Sequence, residues 1–169
     1  MQATGVFRDL FGRAGEALVP IGGLSDDLLY AGPDPSIAWY AWRMGRCLDA
    51  NISELMAMDQ LWVAGGWHER FGMTADPRDF LPGFPPPNDI VHHFRAPCAQ
   101  LILDYFDAAH GRTTAYLANL GPEDLDRKPD EPQYDRPPTV GVRLVSVSVA
   151  LAQSSGPIRY RLWLAGKGR

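Results

Sequence analysis

One segment near the middle of the chain repeats apolar side chains at intervals of three and four residues, and this spacing limits the fold more than any other sequence feature. Such a repeat places the apolar side chains on one face of an α-helix. Ser36 precedes the segment and is a residue type that often caps helices. We therefore predict a helix that begins after Ser36. Its apolar face consists of Ile37, Tyr40, Ala41, Met44, Leu48, Ile52, Leu55 and Met56.

Two further segments have the same periodicity. The first runs from Val6 to Leu18 and is followed by Pro20, which ends helices. The second opens at Asn88 or Asp89 and extends to residue 117. Pro97 has no backbone donor, so the regular part of this third helix has an alternative start at that residue. We predict that the segment from Val6 to Leu18 forms the first long helix and that the segment ending at residue 117 forms the third.

A fourth helix is predicted to begin after Thr139 and to kink near Pro157. Residues 60–87 mix glycine, proline and aromatic residues without periodicity, which is typical of a long irregular loop that covers a binding site or lies on the surface. No segment shows the alternation of a β-strand. We therefore predict one all-α domain over residues 1–169, an up-down four-helix bundle with a long irregular loop between helices 2 and 3.

Composition excludes several classes of function. The chain has 46% hydrophobic and 21% charged residues, a net charge of -4 and no basic cluster, so we expect no binding to nucleic acid or to an anionic membrane. We find no apolar run of membrane-spanning length and no secretory signal pattern, so we expect a cytoplasmic protein. Cys47 and Cys98 do not have the spacing of a metal site and are predicted to be reduced, packed thiols.

Arg43 lies in the most apolar part of the second predicted helix, between Trp39 and Trp42 on one side and Met44 on the other. A guanidinium stays charged, so it must reach solvent, a carboxylate or a bound anion. Small residues around Ser154 in the fourth helix leave room opposite these bulky groups. Two interpretations stay open: Arg43 reaches the surface or an acidic residue, or it binds the carboxylate or phosphate of a ligand.

The segments "SIAWYAWRMGRCLD", "GWHERFGM", "LILDYFDAAHGRTTAYLANL" and "TVGVRLVSV…GPIRY" together resemble the DinB-like superfamily of four-helix bundles. This superfamily includes mycothiol-dependent maleylpyruvate isomerases and the bacillithiol and mycothiol S-transferases. The resemblance extends from about residue 23 to residue 166 and implies a pocket between the second and fourth helices.

Members of that superfamily that hold a metal use three histidines, and the resemblance identifies the matching positions in this chain. The pattern "WxxWHMxR" falls on "WYAWRMGR", so Arg43 stands at the first histidine position. The pattern "HxGQ" places Ser154 at a second position, and Ala150, one turn earlier, at the third. Arginine, alanine and serine do not supply the strong donors that a divalent cation needs, so we expect no metal. Arg43 would instead supply a fixed positive charge.

Residues 60–87 also contain a candidate acid or base. His68 and Glu69 follow Trp67, but no second histidine has the spacing of a zinc-protease motif. If the loop covers the pocket, His68 would act as acid or base and Trp67 would form part of the wall; a surface or capping role is the alternative. Tyr160 matches a tyrosine frequent in the superfamily, and the resemblance implies a buried hydroxyl.

The resemblance and these residues together predict a small-molecule-binding protein that acts without a metal on an apolar substrate with a carboxylate or carbonyl group. An isomerase, cyclase or thiol-transferase reaction is consistent with the fold. We expect no cofactor, with a low-molecular-weight thiol such as mycothiol as the alternative. The rival interpretation is a non-catalytic protein with a decayed metal pocket that forms a homodimer. The candidate catalytic residues are Arg43, His68 and Ser154, and the candidate substrate-binding residues are Trp39, Trp42, Trp67 and Tyr160.

Overall fold

The computed structural model describes residues 3–31, 35–76, 88–129 and 138–167, and all regular secondary structure in these ranges is helical. Short 3-10 turns cover residues 16–18, 21–23 and 122–126. The α-helices are α1 (Ala3–Gly15), α2 (Asp26–Tyr30), α3 (Ile37–Leu55), α4 (Leu61–Ala64), α5 (Trp67–Phe71), α6 (Asn88–His93), α7 (Ala99–Ala118) and α8 (Val140–Leu164). None of them is both long and apolar enough to cross a membrane.

Four long helices form the bundle, which confirms the predicted all-α fold. Around the bundle the order is α1, α7, α3 and α8, since α1 and α3 each pack against both α7 and α8. The core between them is made of buried apolar side chains, with Trp42, Tyr105 and Trp62 among the largest. Burial of the apolar face of each helix provides the main driving force for this arrangement.

The predicted helix starts agree with the structure in three places. The Ser36 hydroxyl accepts a hydrogen bond from the Trp39 backbone N–H at 3.2 Å, and the Thr139 hydroxyl accepts one from the Val142 N–H at 3.3 Å. The third predicted helix is divided into α6 and α7 around Pro97, so the alternative start near this proline is correct. Helix α8 does not end at Pro157 but continues through this residue to Leu164.

The long helices α3 and α7, which follow one another along the chain, run parallel and not antiparallel. Helix α3 runs antiparallel to α8, because residue 43 contacts residue 154 while residue 51 contacts residue 143. It runs parallel to α7, because residue 45 lies against residue 106 while residue 53 contacts residue 112. The up-down order predicted from the sequence therefore does not hold between α3 and α7. A parallel pair requires a connection that returns along the bundle, and residues 56–98 lie between these two helices in the chain.

That connection is less irregular than predicted. Helices α4 and α5 lie within the segment that the sequence identified as a loop, and residues 77–87 of it lie outside the described residues. Helix α4 has four residues and α5 has five, which is too short for an apolar periodicity to be visible in the sequence.

Gly45 allows the parallel helices α3 and α7 to approach closely. A Cβ atom at this position would lie 2.9 Å from Tyr105 Cδ1 and 3.5 Å from Phe106 Cα. The Tyr105 ring is buried and held by hydrogen bonds, so it cannot move aside easily.

We expect Gly45→Ala to lower the free energy of unfolding by about 1–3 kcal/mol, because the added methyl group overpacks the α3–α7 contact. Gly111→Ala in α7 is the control, since a Cβ there meets nothing within 4 Å. This control should raise the free energy of unfolding, by up to about 1 kcal/mol, through helix propensity. Urea denaturation measures both values, and equal effects of the two substitutions would contradict the close approach at Gly45.

Candidate functional site

Arg43 lies on the side of α3 that faces α8, and its guanidinium is held by two neutral oxygen atoms. Nη1 donates hydrogen bonds to Ser154 Oγ at 2.7 Å and to the Ala150 carbonyl oxygen at 3.3 Å. The guanidinium carbon lies 5.7 Å from the centre of the Trp39 ring. Arg43 is half-buried, whereas Ser154 and Trp39 are buried. The spacing of four residues in both helices brings these groups to one level of the bundle.

Several N–H groups of Arg43 and Trp39 have no hydrogen-bond acceptor among the described residues. A guanidinium has five N–H donors, and within the described part of the chain only Nη1 of Arg43 finds acceptors. The Trp39 indole Nε1 is buried and has no hydrogen-bond partner among the described residues. A buried donor without a partner has a cost in free energy, which a bound acceptor would remove.

The Ser154 hydroxyl is fully engaged in holding Arg43. It donates to the Ala150 carbonyl oxygen at 3.0 Å and accepts from Arg43 Nη1. No histidine or carboxylate of the described residues bonds to it, so nothing there would activate it as a nucleophile. The geometry gives Ser154 a positioning role for the guanidinium.

Cys47 lies one turn after Arg43 on the same face of α3 and is buried. Burial raises the pKa of this thiol to about 11, although Arg43, Arg143 and Arg46 oppose the shift. At neutral pH it is therefore a protonated packing group with low reactivity. Cys98, at the start of α7, is exposed, so the prediction of two packed thiols is correct only for Cys47.

A buried polar network lies on another side of α3 and was not identified from the sequence. Asp49 is inaccessible to solvent and accepts four hydrogen bonds. Two come from the backbone N–H groups that start α4, at Leu61 and Trp62, both at 2.7 Å. The others come from the Tyr105 hydroxyl at 2.8 Å and the Ser53 hydroxyl at 3.1 Å. Asp49 thus caps α4 and joins it to α3 and α7.

Two arginines balance the charge of Asp49. Arg46 Nη1 lies 3.6 Å from Asp49 Oδ2, and Arg112 Nη1 lies 3.8 Å from Asp49 Oδ1. Arg46 also donates to Gln60 Oε1 at 2.9 Å and lies over the Trp62 ring, 4.7 Å from its centre. The signal in the sequence was two charged residues three apart, Arg46 and Asp49, inside an otherwise apolar stripe.

A second ion pair connects α3 to the first turns of α8. Arg143 is buried and donates to Glu54 Oε2 at 2.7 Å and to Asn51 Oδ1 at 3.0 Å. The sequence analysis did not select Arg143, although it is a charged residue among valines and leucines.

His68 and Trp67 lie in α5, and Trp42 points to the side of α3 that faces α4. Among the described residues, no hydrogen bond or ring contact joins the side chains of these three residues to the Arg43 guanidinium. His68 Nδ1 is 2.9 Å from the Trp62 carbonyl oxygen. Trp67 packs against the Tyr105 ring at 5.2 Å between centres. Trp42 is completely buried against Trp62. The structure therefore brings Arg43, Ser154 and Trp39 together and separates the other three from them.

Tyr160 lies outside this cluster. Its side chain is 61% exposed and stacks on the Trp163 ring, with 6.2 Å between the ring centres. The expected buried hydroxyl is wrong, because residue 160 falls on the face of α8 that points away from the bundle.

Comparison with known proteins identifies the family. The model of the DinB superfamily matches residues 19–147, about three quarters of the chain. The chain belongs to the DinB superfamily. A crystal structure described as the conserved protein of a locus from Enterococcus faecalis is similar, with a TM-score of 0.83, 26% sequence identity and coverage of 99% of each chain. Among proteins with curated descriptions, none matches.

The three positions at which metal-holding DinB proteins are expected to have histidines are adjacent in this chain. Arg43 Nη1 bonds to atoms of both Ala150 and Ser154, although the family match ends at residue 147. These residues do not fit a divalent cation, because a guanidinium occupies the oxygen atoms and repels positive charge. Among the described residues, no other group of three histidine, cysteine or acidic side chains is arranged to hold a metal.

We expect Asp49→Asn to lower the free energy of unfolding by about 3–5 kcal/mol, because it leaves Arg46 without its buried countercharge and an amide NH₂ facing donors. Asp104→Asn on the exposed side of α7 should change the value by less than about 0.5 kcal/mol. Urea denaturation monitored by circular dichroism gives both values. Similar small effects for the two variants would contradict a structural role for the Asp49 network.

The Cys47 thiol should make stability depend on alkaline pH. Its pKa is raised from 9.0 to about 11, so the unfolded chain releases this proton at lower pH than the folded chain. The free energy of unfolding should therefore fall as pH rises from about 9 to about 11, by on the order of 2–3 kcal/mol. Cys47→Ala should reduce this decrease in urea titrations at several pH values. An unchanged pH dependence in the variant would show that Cys47 ionises normally.

Proposed function

We propose that the surface around Arg43, where α3 faces α8, binds a small, largely apolar molecule through a carboxylate or carbonyl oxygen, with Arg43 as the orienting group. The observation that carries this proposal is a half-buried guanidinium whose described partners are all neutral oxygen atoms. Ligand binding would supply the acceptor that the folded chain does not.

The other buried arginines support the proposal by contrast. Arg143 pairs with Glu54, and Arg46 lies beside Asp49. Burial of a charge without a partner costs several kcal/mol, so proteins usually provide a carboxylate, as this chain does twice. Arg43 has no carboxylate within salt-bridge distance among the described residues. Arg43, which is half-buried, therefore differs from these two arginines and is available to an external anion.

The geometry favours recognition of a planar oxyanion. Ser154 and Ala150 fix Nη1, which leaves Nε and Nη2, the pair that binds a carboxylate in a bidentate manner, without partners in the described ranges. A guanidinium held in this way loses little conformational entropy when a ligand binds. The buried Trp39 indole provides an apolar flank and one further N–H donor.

The contacts support binding and orientation of a ligand more directly than they support a reaction. Arg43 could stabilise developing negative charge on an oxygen, as an isomerisation or cyclisation requires. Within the described residues, however, no histidine or carboxylate touches Arg43 or Ser154. A low-molecular-weight thiol with a carboxylate is the alternative ligand of Arg43.

Ligand binding tests this function. Wild type should be stabilised in thermal-shift measurements by some members of a panel of apolar carboxylic acids and low-molecular-weight thiols, and less by the methyl esters of the same acids. Arg43→Gln should raise the Kd of the best carboxylate at least about tenfold, which corresponds to 1.4 kcal/mol. Arg43→Lys should be intermediate, because an ammonium keeps the charge and loses the bidentate geometry.

Arg159→Gln is the matched control, because Arg159 is an exposed arginine of α8 that should not affect binding. If carboxylates stabilise wild type and Arg43→Gln equally, the guanidinium does not bind the ligand. A panel in which the esters bind as well as the acids would contradict the charge-based recognition.

A further inference from the structure

The helix α3 reaches solvent at very few positions. All 19 residues of this helix are described, and all of them except Tyr40, Arg43 and Glu54 are buried. Glu54 lies in the last turn and forms an ion pair with Arg143. The first half of α3 is therefore accessible to a ligand only at Tyr40 and Arg43, which lie three residues apart on one face of the helix.

Helix α8 borders these two residues with a half-buried row of its own. Ala150, Pro157 and Arg161 are half-buried. Together with the buried Ser154 they follow a spacing of three and four residues, which places them on the face of α8 that meets α3. The guanidinium carbon of Arg161 lies 5.8 Å from the centre of the Tyr40 ring. We call Tyr40, Arg43, Ala150, Pro157 and Arg161 together the α3–α8 seam.

Tyr40 lies between the positive charges of the seam. Arg43 follows it by about one turn of α3. Arg161 lies towards the start of the helix, where its Nη1 donates to the Pro35 carbonyl oxygen at 2.5 Å. The Trp39 ring packs against the Tyr40 ring at 77°, with 5.1 Å between the ring centres, and this contact restrains the phenol ring. The seam thus offers a partly exposed aromatic ring with a guanidinium on each side.

We propose that the ligand bound by Arg43 is an aryl carboxylic acid whose aromatic ring lies against Tyr40, an inference that rests on the proposed function. Side chains three residues apart on a helix have Cβ atoms about 5–6 Å apart. A molecule whose carboxylate pairs with Arg43 therefore reaches Tyr40 when its ring is attached directly or through a short link. Arg43 then supplies the charge, and Tyr40 determines the specificity.

The chemistry of the seam favours an aromatic group over an alkyl group. Aromatic rings that meet edge-to-face or in an offset stack gain free energy beyond the burial of apolar area, whereas a saturated ring gains only from burial. Ala150 and Pro157 add apolar carbon atoms on the α8 side, so the ring of the ligand would contact both helices. Both charged residues of the seam are arginines, so an anion is attracted and a cation is repelled.

Two acids that differ in the saturation of their ring test the inference on wild type. Phenylacetate and cyclohexylacetate have the same carboxylate and the same link, and the saturated ring has the larger apolar surface. Apolar burial alone would favour cyclohexylacetate. In NMR titrations, wild type should bind phenylacetate with a Kd about two- to tenfold lower. Equal Kd values that both rise in Arg43→Gln would overturn the inference and leave the proposed function intact.

Substitutions at Tyr40 test whether this residue makes the distinction. Tyr40→Leu should abolish the preference for phenylacetate, and Tyr40→Phe should retain it because the ring is retained. Tyr160→Leu is the matched control and should leave the preference unchanged, since Tyr160 is 61% exposed and lies outside the seam. A preference that survives in Tyr40→Leu would overturn the inference. The comparison of the two acids on wild type does not depend on the folding of any variant.

Two further outcomes separate this inference from the proposed function. If neither acid binds, but an aliphatic carboxylate of the thermal-shift panel binds and loses affinity in Arg43→Gln, the aryl inference is wrong and the proposed function stands. If no carboxylate of the panel binds wild type, both are wrong.

Discussion

The buried carboxylate of Asp49 holds together the parts of this structure that the hydrophobic core alone would not fix. It accepts hydrogen bonds from the start of α4, from α7 and from its own helix, with Arg46 and Arg112 beside it. Burial keeps the pKa of the Tyr105 hydroxyl well above its usual range, so this group stays a donor to the carboxylate. A buried polar network of this kind favours one arrangement of helices, whereas apolar contacts tolerate several.

This constraint also explains how α3 can have polar groups on two sides. On the side of α3 that faces α4 and α7, Arg46 lies beside the carboxylate of Asp49. At the end of α3, Glu54 forms an ion pair with Arg143. The side that faces α8 at residue 43 is different, because the chain supplies only a hydroxyl and a backbone carbonyl to the guanidinium. The fold is therefore complete without a ligand at Arg43, and the unused donors there are available for one.

The sequence predicted the long helices well, because apolar stripes and the caps Ser36 and Thr139 are local signals. It also placed Arg43 near Ser154 through a family pattern, and Trp39 beside Arg43 through their spacing of four residues in one helix. It did not predict that Tyr160 is exposed, or that α3 and α7 are parallel, because these depend on how the helices rotate and connect. Nor did it identify Asp49, whose partners include Tyr105 and Arg112 in α7 and are recognisable only once α4 and α7 are in place.

The two arginines in "WYAWRMGR" lie in different surroundings. Residue 46 points towards α4 and a buried carboxylate, so a change there would disturb the fold itself. Residue 43 points towards α8 and is held by atoms that do not require any particular charge. None of the hydrogen bonds that Asp49 accepts comes from residue 43, so in this chain the framework around Asp49 and the surroundings of Arg43 are separate.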